Sequence, residues 1–445
     1  MSAQRSFRHG RKRKRVTLCR KVLARSLPVP ERDVMNTYRI AGIDVHKRML
    51  AVVIADLTKD GIEFQRHKYG ASPEHLKMLA ERIVSDGVQA VVMESTAQYW
   101  KPVWRALEGK CQLHLAQAHS NRAPKGRKRD FEDAERLTRR FVAGELILSY
   151  VPDREQRLWR TLTRSKNQFI REKIDATNQM EAFLEEAGIK LSSLVSALNG
   201  ASSRRILKAL SENQTDPSKL AELGDPGLKA SRAQFVDALS AAATLDAGYR
   251  KLLGLFLRRI EEAERRIQEL HELIAQRLKA HNDAVVRLSE VPGLGADSAQ
   301  QIIAEVGPEA KAFLSPAQLA SWVGVCPGSN ESAEKQRDTK SPSGNRPMRR
   351  ILSLAANAAI KAKGSIFDHT YKRLVGRTGH NKAVWAVAHK LLRVIWKVLH
   401  DKVRYQEQGL RTNPAAARKR ALRLIAQLKR LDYCVQILRE PALST

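Results

Sequence analysis

The chain has 445 residues, with 79 Lys and Arg against 47 Asp and Glu, and its net charge of +32 is far beyond what solubility requires. Such a length predicts two or three domains and such a charge a polyanionic partner, DNA or RNA, while charge interrupts every apolar stretch before the roughly 18 residues a membrane span needs. Cys19, Cys111, Cys326 and Cys434 lie far apart with no CxxC spacing, which argues against zinc, and the basic N-terminus has no apolar signal core behind it, so a cytoplasmic protein is expected.

Residues 1–34 contain RHGRKRKR and little apolar material ahead of Pro28 and Pro30, so a disordered, polyanion-binding arm is expected. Alternatively, translation starts at Met35, immediately ahead of the first strand, and the arm is an upstream extension.

Residues 38–56, YRIAGIDVHKRMLAVVIAD, read as two strands rich in Ile and Val joined by a tight turn, with Asp44 ending the first. A third strand follows at 62–69, then a helix over 73–85, the strand VQAVVME ending in Glu94, a helix over 99–107, the strand CQLHLA and a helix starting at Asp130. A hairpin followed by alternating helices and strands predicts an α/β domain over 35–151, a mixed sheet with flanking helices of the RNase H-like (RuvC-like) kind. A carboxylate at the mouth of a buried strand is costly to desolvate unless a cation offsets it, which singles out Asp44 and Glu94. Asp130 and Asp133 are spaced i, i+3, on one helical face. A lone Asp at a strand end often does no more than cap a turn. Four hard oxygen donors together, however, suit one or two Mg²⁺ ions, and a metal pair stabilises the attacking and leaving oxygens of a phosphodiester displacement. The basic loop APKGRKR just ahead, with Lys125, Arg127, Lys128 and Arg129, is a segment that a phosphate backbone attracts.

Residues 152–284 read as helical. Leu253, Phe256, Ile260, Ala263, Ile267, Leu270 and Ile274 recur at alternating steps of three and four, a heptad seam flanked by Glu and Arg. Such a coiled coil either folds back on a helix over 158–183 or pairs with a second protomer, and the second arrangement is the expectation. Residues 189–230, richer in Ser, Asn, Asp, Pro and Gly, read as a small helical insertion or a connector.

A further helical domain is expected over 285–400. In LSEVPGLGADSAQQIIAEVG, Pro292, Gly293 and Gly295 form a tight turn between helices that resembles a helix-hairpin-helix element, whose glycines let backbone N–H groups approach a phosphate. Beyond a helix at 319–323, the segment VCPGSNESAEKQRDTKSPSGNRPMRR is polar and basic among helical neighbours, and such loops carry function. Ser332 lies in it with Lys335, Arg337, Arg346, Arg349 and Arg350. A serine attacks poorly unless a base activates it and cations stabilise the charge that develops. The arginines supply the second condition, although a serine in a solvated basic loop needs no function at all. Helices are expected over 350–400, with Trp385 and Trp396 assigned to the core, and residues 401–445 contain one basic helix within TNPAAARKRALRLIAQLKRL.

In order, GIDVHK, MEST, DFED, the heptad seam, EVPGLG and the stretch from SWVGVCPGSNESAEK to GNRPMRR resemble the insertion sequence 110 family of transposases over about residues 38–400. The resemblance implies a RuvC-like domain with a DEDD tetrad at Asp44, Glu94, Asp130 and Asp133, and a transposase domain whose catalytic serine is Ser332, five positions after Pro327. It also implies a bacterial, nucleoid-associated enzyme acting on DNA as a homo-oligomer, dimer or tetramer, with a bridge RNA guiding the pairing of donor and target. Ala333 stands where the family commonly has glycine, Ser329 lies nearby, and the central region and both termini are longer than usual. A guided enzyme needs mostly backbone contacts of its own, which a basic, aromatic-poor chain can supply. Two other readings stay open: a RuvC-like metal nuclease without a covalent intermediate, and a non-catalytic nucleic-acid-binding protein.

Overall fold

The structure is a computed structural model that describes residues 38–58, 61–95, 97–121, 129–326, 330–332, 335–338, 341–407 and 414–430. The N-terminal arm, Ser329, and Lys125, Arg127 and Lys128 of the basic loop lie outside the described residues. The chain forms two units, Met1–Pro152 and Asp153–Thr445.

In the first unit, β1 (Tyr38–Val45), β2 (Met49–Leu57) and β3 (Ile62–Gly70) form an antiparallel meander. They are followed by α1 (Pro73–Ser85), β4 (Ala90–Glu94), α2 (Trp100–Leu107), β5 (Gln112–Ala116), α3 (Asp130–Val142) and the short β6 (Leu148–Ser149). The six strands make one mixed sheet in the order β3-β2-β1-β4-β5-β6, with β4 parallel to both β1 and β5, an arrangement consistent with an RNase H-like domain. The unbroken apolar runs of β1, β2 and β4 have their reason here: these strands are covered on both faces, while the edge strand β3 is more exposed.

A period of two divides β1 between the faces. Ala41, Ile43 and Val45 pack with Leu79 and Ile83 of α1 and with Val103 and Leu107 of α2. Ile40 turns the other way with Ala90 and Val92 of β4, against Leu137 and Phe141 of α3, each of which contributes about 1.5–3 kcal/mol by burial. Gly42 shares this second face. A Cβ there would lie 2.0 Å from Thr138 Oγ1 and 2.7 Å from the Ala134 carbonyl oxygen, so glycine is what lets α3 lie so close to β1.

The second unit is built on a long helical hairpin. α4 (Arg154–Glu186) is followed by the short α5 (Ala201–Ser211), α6 (Pro217–Glu222) and α7 (Arg232–Ala238), and then by α8 (Ala247–Arg277), which returns antiparallel to α4. The register is written in cross-pairs: Gln179 with Arg259 at 2.7 Å, Lys173 with Glu264 at 2.6 Å, and Lys166 with His271 at 3.0 Å. Leu253 and Ile260 of the heptad seam are buried with Met180 and Phe183 of α4, and Ile274 with Trp159. The seam is therefore covered by α4 of the same chain, and the fold-back arrangement replaces the expected pairing with a second protomer. The segment between the two long helices is a helical insertion, with Ile206, Leu210, Leu220 and Phe235 sharing the core of Met180 and Leu253.

The remaining helices are α9 (Asn282–Ser289), α10 (Ala296–Val306), α11 (Pro316–Val323), α12 (Arg346–Ala359), α13 (Ile366–Thr378), α14 (His380–His400) and α15 (Pro414–Lys429); a small hairpin of β7 (Asn330–Ser332) and β8 (Lys335–Asp338) lies between α11 and α12. Trp159 and Ile274 share one core with Leu288, Ile302, Leu352 and Leu391, so this core runs across residue 285. No helix among the described residues is long and apolar enough to cross a membrane.

Candidate functional site

Sheet register and helix placement assemble an acidic site at one edge of the first unit. Ile43 pairs with Met93 across the parallel strands β1 and β4, so Asp44 and Glu94 follow side by side, on strands ~4.8 Å apart. Both continue the face that carries Ile40 and Gly42 on β1 and Ala90 and Val92 on β4, the face that α3 covers. The first turn of α3 brings Asp130 and Asp133 to that face, at the helix end where the backbone dipole favours negative charge, while Glu132 of the same turn is exposed.

His46 joins the cluster. Its Nε2 is 3.0 Å from Asp44 Oδ2 and 3.2 Å from Asp130 Oδ1, and one ligand atom from each of the three residues lies within 4.8 Å of the other two. The Asp44 side chain is 13% exposed and that of Asp130 40%, so the group opens from a buried root towards solvent. Glu94 Oε2 accepts a 3.0 Å hydrogen bond from Asn121 Nδ2, and Asp133 pairs with Arg136 Nη1 at 2.7 Å. Of the four acids singled out in the sequence, Asp44 and Asp130 thus meet across His46, Glu94 stands beside Asp44 by register, and Asp133 sits one turn into α3 beside an arginine. Two carboxylates and an imidazole form a donor set that fits a divalent cation. Arg129, the described member of the basic loop, is bonded to Glu132 at 3.0 Å.

In the second unit the segment carrying Ser332 leaves and rejoins the fold at one closely stitched point. Gly324 and Gly344 both have positive φ, 77° and 47°, and a Cβ on Gly344 would lie 2.0 Å from the Val323 carbonyl oxygen. The Asn345 N–H donates to the Trp322 carbonyl at 3.2 Å, and Arg349 Nη1 donates to the carbonyls of Gly324 and Pro342. Asn345 also donates to Glu305 Oε2 at 3.1 Å, and Glu305, only 1% exposed, is held by Arg164 through two bonds of 2.8 and 2.9 Å. Between these anchors, Ser332 on β7 pairs in register with Lys335 on β8. The side chains of Ser332, Lys335 and Arg337 lie outside the described residues.

The other basic candidates differ in setting. Arg346 is exposed, whereas Arg350 donates to Gln301 Oε1 at 2.6 Å, and burial, followed by the nearby Arg171, lowers its pKa below the usual guanidinium value. At the turn between α9 and α10, Gly293 has φ of 86° and a Cβ there would lie 2.3 Å from the Ala355 carbonyl oxygen, so its glycine is required by contact with α12. A Cβ at Gly295 would meet nothing within 4 Å.

The sequence reading passed over His46, Asn121, Glu305 and the Gly42–Thr138 contact. Only His46 had a local signal: it stands two residues after Asp44, so an extended chain end puts both on one side.

A family model described as Transposase IS116/IS110/IS902 family matches residues 285–372, which include the turn at Gly293 and the Ser332 segment. A DEDD transposase model matches residues 41–189, which include the acidic edge. A "Probable family 20 transposase" of Pseudomonas aeruginosa is 24% identical over 382 residues, covering 84% of this chain and 99% of the relative. The transposase for insertion sequence element IS1111A of Coxiella burnetii is 23% identical over 385 residues, covering 84% and 92%. An uncharacterized 42 kDa protein of insertion element IS900 of Mycobacterium paratuberculosis is 27% identical over 250 residues, covering 52% and 61%.

Proposed function

Because the chain belongs to the IS116/IS110/IS902 family of transposases and is a DNA transposase, we propose that it exchanges DNA strands with two groups of residues: the acidic edge as a divalent-metal centre, with Mg²⁺ as the ion, and Ser332 as the nucleophile. The observation that carries the first part is the convergence of Asp44, His46 and Asp130, with Glu94 alongside, inside the segment that the DEDD transposase model matches.

Asp44 and Asp130 would hold the ion, with Glu94 and Asp133 supplying further acid oxygens, and Asn121 orients Glu94 through its amide. A divalent cation, when bound, neutralises charge at the scissile phosphate. The Ser332 hydroxyl gives up its proton as its oxygen forms a bond to phosphorus; one P–O bond to the sugar breaks, and the departing sugar oxygen takes a proton. Attack by the hydroxyl of another strand then releases the serine, so one phosphodiester is exchanged for another without loss of bond energy. Family membership and the net charge of +32 support two further parts of the proposal: a bridge RNA that guides the choice of DNA, and a working form of two or four copies.

Trapping tests the chemistry. Wild-type protein incubated with element-end DNA and Mg²⁺, then denatured, should retain a covalent protein–DNA adduct that Ser332→Ala lacks. Metal-dependent nicking with no adduct in either protein would replace this reading with hydrolysis by a RuvC-like nuclease. RNA recovered with the co-expressed element and required for recombination is the expected result for guidance, and full recombination by RNA-free protein would remove that part.

A further inference from the structure

Next to the stitched point of the second unit lies an open cavity of about 420 Å³ whose walls include Arg349, Ser353, Asn357, His380, Asn381 and Trp385. Among the described residues none of the lining side chains is acidic, in a chain with 47 carboxylate residues. Arg349 is fixed in place: its Nη1 is tied to two backbone carbonyls, and its guanidinium lies over the Trp385 ring, 4.6 Å from the centroid. Trp385, expected in the core, is partly buried, and its Nε1–H donates to Ser341 Oγ at 3.2 Å, which sets the ring orientation. The exposed His380 ring is bonded through Nδ1 to the Tyr371 hydroxyl at 2.9 Å.

These groups sort into the parts of a nucleotide. An oriented guanidinium with no carboxylate beside it among the described lining residues is a phosphate donor. The exposed His380 imidazole offers a flat face to a base, which any base can use, and the Trp385 indole, with Arg349 over its ring, borders that face. The Asn357 and Asn381 amides present both donors and acceptors, as a base edge requires, and Asn357 is held by its own bond to the Ser353 carbonyl at 2.8 Å. The volume is in the range of small-ligand sites and far too small for a duplex.

We propose that this cavity holds one unpaired nucleotide of a nucleic-acid strand, its phosphate at Arg349 and its base against His380 and the two asparagines. The proposal rests on the reading of the chain as a nucleic-acid enzyme, but it uses neither Ser332 nor the acidic edge. The same nucleotide chemistry is offered by a DNA strand and by an RNA strand, so both serve as probes.

The test uses full-length protein and short single strands, deoxy and ribo, carrying one 5-iodouracil. Irradiation followed by mass spectrometry should place the adduct on His380 or Trp385, and whichever sugar supports it names the source of the nucleotide. The double change Asn357→Ala with Asn381→Ala should weaken binding of that strand roughly ten-fold. The dependence of affinity on salt should stay as it is, because no charge is removed. Adducts confined to other segments overturn the proposal, as does unchanged affinity in the folded double variant; the adduct map on unaltered protein decides the matter if that variant folds poorly. Failure here leaves the Ser332 trapping result untouched, so the two readings fall separately.

Discussion

In the first unit two acids are drawn towards each other, Asp44 and Asp130 both within 3.2 Å of the same imidazole nitrogen, and Glu94 runs alongside on the next strand. In the second unit the deeply buried acid Glu305 faces two guanidiniums, Arg164 at 2.8 Å and Arg160 at 3.6 Å, and ties them to Asn345. Like charges gathered at a sheet edge raise the free energy of the fold, whereas an acid surrounded by cations and amides is a fastening. On the proposed reading, the contrast separates residues kept for chemistry from residues kept for shape, and it predicts opposite responses to mutation.

The largest effect is expected at the acidic edge. Asp44→Asn should lower strand cleavage by roughly a thousand-fold or more, since on the proposed reading it removes a charge that would hold the cation, without changing shape. Affinity for DNA in a gel-shift assay should change by less than about two-fold, because Lys and Arg contacts to phosphate dominate binding. The melting midpoint should change little, because the amide can keep the 3.0 Å contact with His46 while repulsion with Asp130 falls. Cleavage that persists at ordinary Mg²⁺ would remove Asp44 from the site, and a clear loss of stability would make it a fastening like Glu305.

Glu305→Ala is the converse experiment. Removing one partner of a buried ion pair typically costs about 3–5 kcal/mol. Here the low end, about 3 kcal/mol, is expected, because the Arg164 side chain is 48% exposed and can turn to water while Arg160, at 13%, cannot. Denaturant melts should show the loss, and an unchanged midpoint would mean that Asn345 and the stitched backbone hold the segment without it.

How much of this was legible in the sequence depends on the range over which each signal acts. The strands β1 to β5 and the helices α1 to α3 were readable, β1, β2 and β4 because burial on both faces writes unbroken Ile and Val runs, and the strand ends exposed Asp44 and Glu94; the two-residue β6 carries no such run and was not readable. The heptad seam was readable as a seam but not in its choice of partner: steps of three and four are the same whether Ile260 meets Met180 of its own chain or another protomer. Glu305 was not readable, since its partner Arg164 is 141 residues away and neither stands in a motif. Gly42 was not readable either, because its reason is Thr138, on a helix that reaches β1 only in the folded sheet.

The seam provides the next test. Ile260→Ala should cost about 3 kcal/mol, the usual toll for emptying a buried site, with no change in mass by light scattering. A fall in oligomeric state would return the seam to an interface between copies.

Gly42→Ala probes how the acidic edge is held. The new methyl would meet backbone of α3 as well as Thr138, so the helix must shift at a cost of about 1–3 kcal/mol, and cleavage should drop further than stability because α3 carries Asp130. Adding Thr138→Ala removes the 2.0 Å clash but not the one at 2.7 Å with the Ala134 carbonyl, so partial recovery of both quantities is expected. Full activity in Gly42→Ala alone would show that the close approach of α3 does not matter to the site.

The smallest effect belongs to Glu309, a fastening at the surface of the second unit. Hydrogen bonds from Lys311 and then Lys402 hold its carboxyl down to about 2, against an ordinary 4.5. A depressed carboxyl stabilises the fold above its unfolded pKa, and that contribution is lost as pH falls from about 4.5 towards 2. The lysine side chains are 82% and 60% exposed, so solvent screens both pairs and the gain at neutral pH is less than about 1 kcal/mol, well short of what the shift alone would suggest. Glu309→Gln should therefore lower the melting midpoint slightly at pH 7, and the gap between variant and wild type should shrink as pH is taken down through 4.5 and close near pH 2, or close at neutral pH in high salt. A gap as large as that of Glu305→Ala, or one that widens in acid, would show that exposure does not separate the two kinds of acid in this unit.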